Sequence, residues 1–139
     1  MTYMAWAFLS MATYGTMLFF LKLTLRNIAP EVAVIVNNAV LVLVAVTWTL
    51  VRGTSISAQF SHGALPLIYL MTASAFLSVG VMSLYKALSL GPASAVQPIF
   101  ALNFVVVSVL GLLLLGEPFK VERVLGLVLA GVAIWLLAK

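Results

Sequence analysis

The sequence predicts an all-α integral membrane protein with five transmembrane helices, at about residues 3–25, 31–51, 64–88, 93–115 and 121–138. Three observations predict it. Of the 139 residues, 65% are hydrophobic and only 7% are charged, where a globular domain carries about 25% charged residues. The few charges cut the chain into apolar runs of spanning length. No segment alternates polar and apolar residues with the period of a barrel strand, so backbone groups in hydrocarbon have to pair within helices.

Each span follows from the charge map. Met1 to Leu21 and Val32 to Val51 carry no charge. The next uncharged run, Gly53 to Tyr85, opens with a polar stretch from Thr54 to Gly63, which leaves Ala64 to Tyr85 as the third span. Gly91-Pro92 breaks helix and forces a turn, so the fourth span starts at Ala93 and runs to Gly116. Val124 to Ala138 is short for a span, and draws in the turn with Glu122 and Arg123, whose side chains can snorkel to the interface. The alternative count is four spans, with the last run lying in the interface. The first run is a poor signal peptide: it lacks a basic start and exceeds the usual apolar length.

The same composition excludes function classes. A soluble enzyme this apolar would have no polar surface for water. The net charge of +4 comes from scattered residues, not from the clustered patch of a nucleic-acid footprint, so no nucleic-acid partner is expected. With no cysteine there is no disulfide framework, thiolate metal site or thiol nucleophile. His62 is a lone loop residue with no ligand partner spaced near it. No metal, cofactor or catalytic residue is expected. No acid–base pair inside the spans suggests an enzyme, and no ring of charges suggests a channel.

Five spans put the termini on opposite sides. One side holds Arg52, Lys120 and Arg123; the other holds Lys22, Arg26, Lys86 and Lys139. Three against four is almost no positive-inside bias. Two readings follow. Either the chain inserts one way, with the 22–31 loop cytoplasmic, or copies insert both ways and pair antiparallel.

The polar residues inside spans are candidates for a pathway. They are Thr13, Tyr14 and Thr16; Asn37 and Asn38; Ser74, Ser78, Ser83 and Tyr85; and Gln97, Asn103 and Ser108. Serine and threonine in spans usually bond their own i−4 carbonyl, whereas an amide is costlier to leave unpaired in lipid. Asn37 and Asn38 point about 100° apart, so both cannot serve one site equally. Pro98 leaves the Ser94 carbonyl without its usual partner. It reads either as a broken helix lining a cavity or as a first-turn proline. Gly80 is placed to let the third helix bend or a neighbour approach. Lys22 and Lys86 lie near helix ends, where lysines snorkel; Lys86 alternatively faces a cavity mouth and attracts anions. Gly126, Ala130 and Ala133 form a small-residue stripe suited to close helix packing, within a protomer or across a dimer. All three acids, Glu31, Glu117 and Glu122, lie at span ends. A proton relay usually places an acid at the midplane, so that mechanism is disfavoured, as is a site for cationic drugs. Glu117 is placed to pair with Lys120 or Arg123, a surface interaction of little strength.

The stretch Tyr85-Lys86-Ala87-Leu88-Ser89-Leu90-Gly91-Pro92-Ala93-Ser94-Ala95-Val96-Gln97-Pro98-Ile99 resembles the signature of the EamA domain of the drug/metabolite transporter superfamily. Leu115-Gly116-Glu117, Gly126-Leu127 and Ala130-Gly131-Val132 continue the match. Trp6, Tyr14-Gly15 and Phe20-Leu21-Lys22 agree more loosely. The resemblance implies one EamA-like transmembrane domain over 1–139, half of an inverted-repeat transporter. An odd span count inverts a second copy automatically, so the resemblance favours dual topology and a homodimer. It implies a transporter of small metabolites, neutral or zwitterionic, working by alternating access in a cell membrane, a prokaryotic inner or plasma membrane first. The family's cavity is lined mainly by the first, third and fourth helices of each half. Carried over, that selects Tyr14, Ser74, Ser78, Gln97 and Asn103, with Asn37, Asn38 and Lys86 less central. Small multidrug resistance proteins use a similar last-helix stretch in dimer contact, which assigns Gly126, Ala130 and Ala133 to dimer packing. The alternative function is an accessory membrane subunit that pairs with a different transporter chain.

Overall fold

The computed structural model describes residues 3–114 and 121–137, with backbone only for His62, Arg123 and Leu137. Leu115-Gly116-Glu117, Lys120 and Lys139, and the side chains of His62 and Arg123, therefore lie outside the described residues. So does the pairing expected of Glu117.

Every described element is a helix. The elements are α1 (Tyr3–Thr24), α2 (Pro30–Val51), α3 (Ile56–Gln59), a 3-10 turn (Phe60–His62), α4 (Ala64–Leu90), α5 (Ala93–Ala101), α6 (Asn103–Leu114) and α7 (Val121–Leu137). Among the described residues, four stretches are long and apolar enough to cross a membrane: α1, α2, α4, and Ala93–Leu114, which takes in α5 and α6. The fifth, α7, contains a shorter apolar helix over Val124–Leu136. Its 17 residues rise about 25 Å, just short of a hydrocarbon core of about 30 Å.

Local chemistry sets the ends. Pro30 occupies the first turn of α2, where its missing N–H costs nothing, and Glu31 sits beside it at the positive end of the helix dipole. At the other end, Gly53 adopts φ 64°. Its N–H bonds the Leu50 carbonyl and the Thr54 N–H bonds the Thr49 carbonyl, the Schellman pairing that closes a helix with a left-handed residue. Arg52 lies 5.0 Å over the Trp48 ring, a cation–aromatic pair of the sort that anchors a helix at the interface. The polar stretch after it is not plain loop. Ser55 accepts the Ala58 N–H and starts the single turn of α3.

The fourth span is present over Ala93–Leu114, and of the two readings of Pro98 it takes the irregular one: the helix is interrupted at a single residue, Leu102, whose φ −60° and ψ −10° stay in the right-handed region. Pro98 is the sixth residue of α5, past its first turn, so it is not a first-turn proline. It removes one rung and crowds the Ser94 carbonyl. Beyond it the ladder tightens: Leu102 N–H bonds Ile99 O at 3.1 Å and Val105 N–H bonds Leu102 O at 3.0 Å, three-residue spacings typical of a 3-10 step.

The chain divides into two compact units, Met1–Ser89 and Leu90–Lys139. In the first, the buried side chains are Leu18, Leu21, Leu25, Ala33, Leu84, Tyr85 and Leu88. They fall at the end of α1 and in the turn just after it, at the start of α2 and at the end of α4. All three lie at the end of the unit that carries the 22–31 loop. The opposite end is uncovered: Tyr3, Val51 and Leu65 are 78%, 82% and 58% exposed. In the second unit, α7 packs against α5.

Candidate functional site

In the first unit the polar groups fall into two kinds. Most are engaged by their own helix. Thr13 and Thr16 donate to the Leu9 and Ala12 carbonyls, and Ser74, Ser78 and Ser83 to those of Leu70, Ser74 and Val79. The hydroxyls of Ser74 and Ser78 are thus back-bonded along α4. Tyr14 is 49% exposed. A Cβ on Gly80 would meet open space, and α4 runs unbroken through it. The close approach anticipated there is therefore not seen.

The other kind ties helices together. Asn37 and Asn38 part company as their angular separation requires. Asn38 donates back to the Val34 carbonyl at 2.8 Å. Asn37 donates to the Tyr85 hydroxyl on α4 at 2.7 Å, and Tyr85 is only 5% exposed. Lys22 does not simply snorkel. Its Nζ donates to the Leu88 carbonyl at 2.6 Å, and it makes a further interaction besides. Leu88 is fully buried, and its carbonyl is among the last four of α4, which have no acceptor role left inside the helix. No basic residue lies in the last turn of α4. Lys22 on α1 brings the cation that the negative end of that helix favours. Sequence reasoning noted Lys22, Asn37 and Tyr85 singly and missed the pairing. The absence of a cation in the last turn of α4 was the available signal. Lys86 itself is exposed.

Beside these ties a cleft of about 280 Å³ opens between α1 and α2, lined by Met17, Leu21, Thr24, Ala33 and Asn37 among others.

The second unit holds Gln97 and Asn103, both at the broken span. The Gln97 Nε2 is buried and has no hydrogen-bond partner. Buried polar groups are nearly always paired, so this amide stands out. Asn103 is exposed and opens α6 immediately after the break. With Pro98 between them, this stretch gathers an unpartnered amide, a carbonyl at Ser94 deprived of its helical donor, and a second amide within ten residues. On α7, Gly126 and Ala133 are exposed and Ala130 half-buried; a Cβ on Gly126 would meet nothing within 4 Å. Tyr14, Ser74 and Ser78 belong to the first unit and Gln97 and Asn103 to the second.

Long apolar helices, one span carrying an interior proline and a buried amide without a partner, define a multi-pass membrane protein. The model of the EamA-like transporter family matches residues 1–139, and the chain belongs to that family. No curated protein and no solved structure matches it with significance.

Proposed function

We propose that this membrane transporter carries small neutral or zwitterionic metabolites by alternating access, as an antiparallel homodimer of one EamA-like domain over 1–139. The observation that carries the proposal is Gln97, whose buried Nε2 lacks an acceptor beside a broken helix. A passing solute with a carbonyl, carboxylate or hydroxyl oxygen would supply that acceptor. Transporters keep irregular backbone at membrane depth where it lines a cavity. Gln97 and Asn103 are the primary pathway residues. Tyr14, Ser74 and Ser78 rank below them, because both serine hydroxyls are engaged by their own helix. Asn37, Asn38 and Lys86 remain less central.

The substrate class follows from charge. Glu31 and Glu122 lie in the first turns of α2 and α7, and the remaining acid, Glu117, sits between spans. Nothing acidic faces a solute at mid-depth to hold a cation or relay a proton. The exposed small residues Gly126 and Ala133 support a helix contact with a second copy, since small side chains let backbones approach closely. A prokaryotic inner or plasma membrane is the proposed location.

Flux into proteoliposomes tests the pathway: a panel of amino acids, sugars and nucleosides is offered to the unsubstituted protein and to Gln97→Leu. Uptake of at least one solute, lost in the variant, is expected. Equal uptake by both removes Gln97 from the pathway. Single cysteines at Asn27 and at Thr54, in this cysteine-free chain, test topology. Each site labels from both sides of the membrane if copies insert both ways. Labelling of each from one side only rejects the antiparallel homodimer and favours a subunit that pairs with a different chain.

A further inference from the structure

We propose that Lys22, Asn37 and Tyr85 form a latch that holds shut the 22–31 end of the first unit and must release for that end to open. The proposal rests on the alternating-access reading above.

Three features carry it. First, two hydrogen bonds bridge helices at this end and none of those described does so at the other. Lys22 Nζ joins α1 to the Leu88 carbonyl of α4, and Asn37 Nδ2 joins α2 to the Tyr85 hydroxyl of α4. Both ties converge on one turn of α4, three residues apart, so that turn is the keeper for both neighbours. Second, among the described residues every buried apolar side chain of the unit clusters here, while the far ends of the same helices are uncovered. Helices in lipid gain no hydrophobic driving force from apolar contact and are held by close packing together with interhelical hydrogen bonds. Packing holds this end by contact that grades off with distance, and the two directional polar contacts add the part that is either made or broken. Third, the ties are of a releasable kind. The lysine head is a point charge on a four-carbon stem that rotates freely, and near a helix end it can exchange a carbonyl for interfacial water. The cleft of about 280 Å³ lined by Ala33 and Asn37 leaves the Asn37 side chain room to swing away from Tyr85.

Release of Lys22 would return the Leu88 carbonyl to water or to solute. Release of Asn37 would free the acceptor site of the Tyr85 hydroxyl and the Asn37 amide that lines the cleft. Lys22 and Tyr85 are positioning residues in this scheme, since neither is assigned contact with the solute.

The test uses the full chain in lipid nanodiscs with one cysteine, Ala33→Cys, at a site only 5% exposed. A membrane-impermeant maleimide reports its accessibility. Lys22→Met and Tyr85→Phe are each expected to raise the labelling rate about fivefold or more, and Lys22→Arg to keep it within about twofold, because arginine retains the charge and donors. Hydrogen exchange over residues 64–80 of α4 should stay unchanged, since only the latched end loosens. Unchanged labelling in both Lys22→Met and Tyr85→Phe overturns the latch. So does exchange over 64–80 that rises in step with labelling, which marks general loosening. If Lys22→Met does not fold, Tyr85→Phe decides alone, as it removes one oxygen atom. Labelling needs no substrate, so absent flux in the unsubstituted protein counts against the transport reading and leaves the labelling rates to judge the latch.

Discussion

The third and fourth spans are almost equally apolar, with mean hydropathies of 1.9 and 2.1, yet they treat their polar groups in opposite ways. The third, α4, is 27 residues of unbroken helix. Thr72, Ser74, Ser78 and Ser83 all fold back on their own carbonyls, and the buried Tyr85 accepts from Asn37. The fourth is interrupted at Leu102, carries a proline inside its first segment, and leaves the Gln97 amide unmade. Hydropathy measures only whether a segment will enter the membrane. Whether its polar groups are closed off or left available is a separate property, and it separates a scaffold span from a working one.

Restoring the missing rung of the fourth span is the largest perturbation. Pro98→Ala should stabilise the protein by on the order of 1–3 kcal/mol, because an interior proline removes a bond and strains the turn before it. Uptake should fall as the span straightens. A denaturant titration in mixed micelles and a flux assay read the two effects, and unchanged uptake would make the break a tolerated irregularity. Next is Gln97→Leu. An unpaired buried polar group costs about 1–3 kcal/mol, so stability should hold or rise while uptake drops by about tenfold, the kinetic equivalent of roughly 1.4 kcal/mol. A stability loss would mean that the amide is satisfied in the assembled transporter. In the third span the sign reverses. Tyr85→Phe removes the acceptor for Asn37 and should cost about 0.6–2 kcal/mol, the range of interhelical bonds in membranes, in the same titration. Smallest are Ser74→Ala and Ser78→Ala, each expected within about 0.5 kcal/mol of the unsubstituted protein, with uptake near normal. A large loss of uptake at either serine would erase the contrast between the spans.

Much of this was legible in the residues. The helix ends at Thr24, Pro30, Val51 and Ala64 lie within a residue or so of where charges, prolines and glycines place them, because a charge in hydrocarbon and a missing N–H are penalties independent of what packs nearby. The back-bonded serines were legible too, since that bond is local. Lys22 and Asn37 were not. Each finds its partner on α4, 66 and 48 residues further along the chain, and nothing in local spacing encodes such a distance. Pro98 was half legible: its chemistry demanded some interruption, but the slack was taken up four residues later, at Leu102.

Composition alone determined that this chain crosses a membrane as helices, because burying 65% apolar residues with every backbone group paired leaves no other solution. Charges, prolines and turn chemistry set where those helices begin and end. The tertiary structure decided which polar groups are closed by a neighbour and which stand open, since that depends on distances between helices that the order of residues does not contain. It placed the cation of α1 on the carbonyl of α4, gave Asn37 its partner in Tyr85, and left Gln97 without an acceptor.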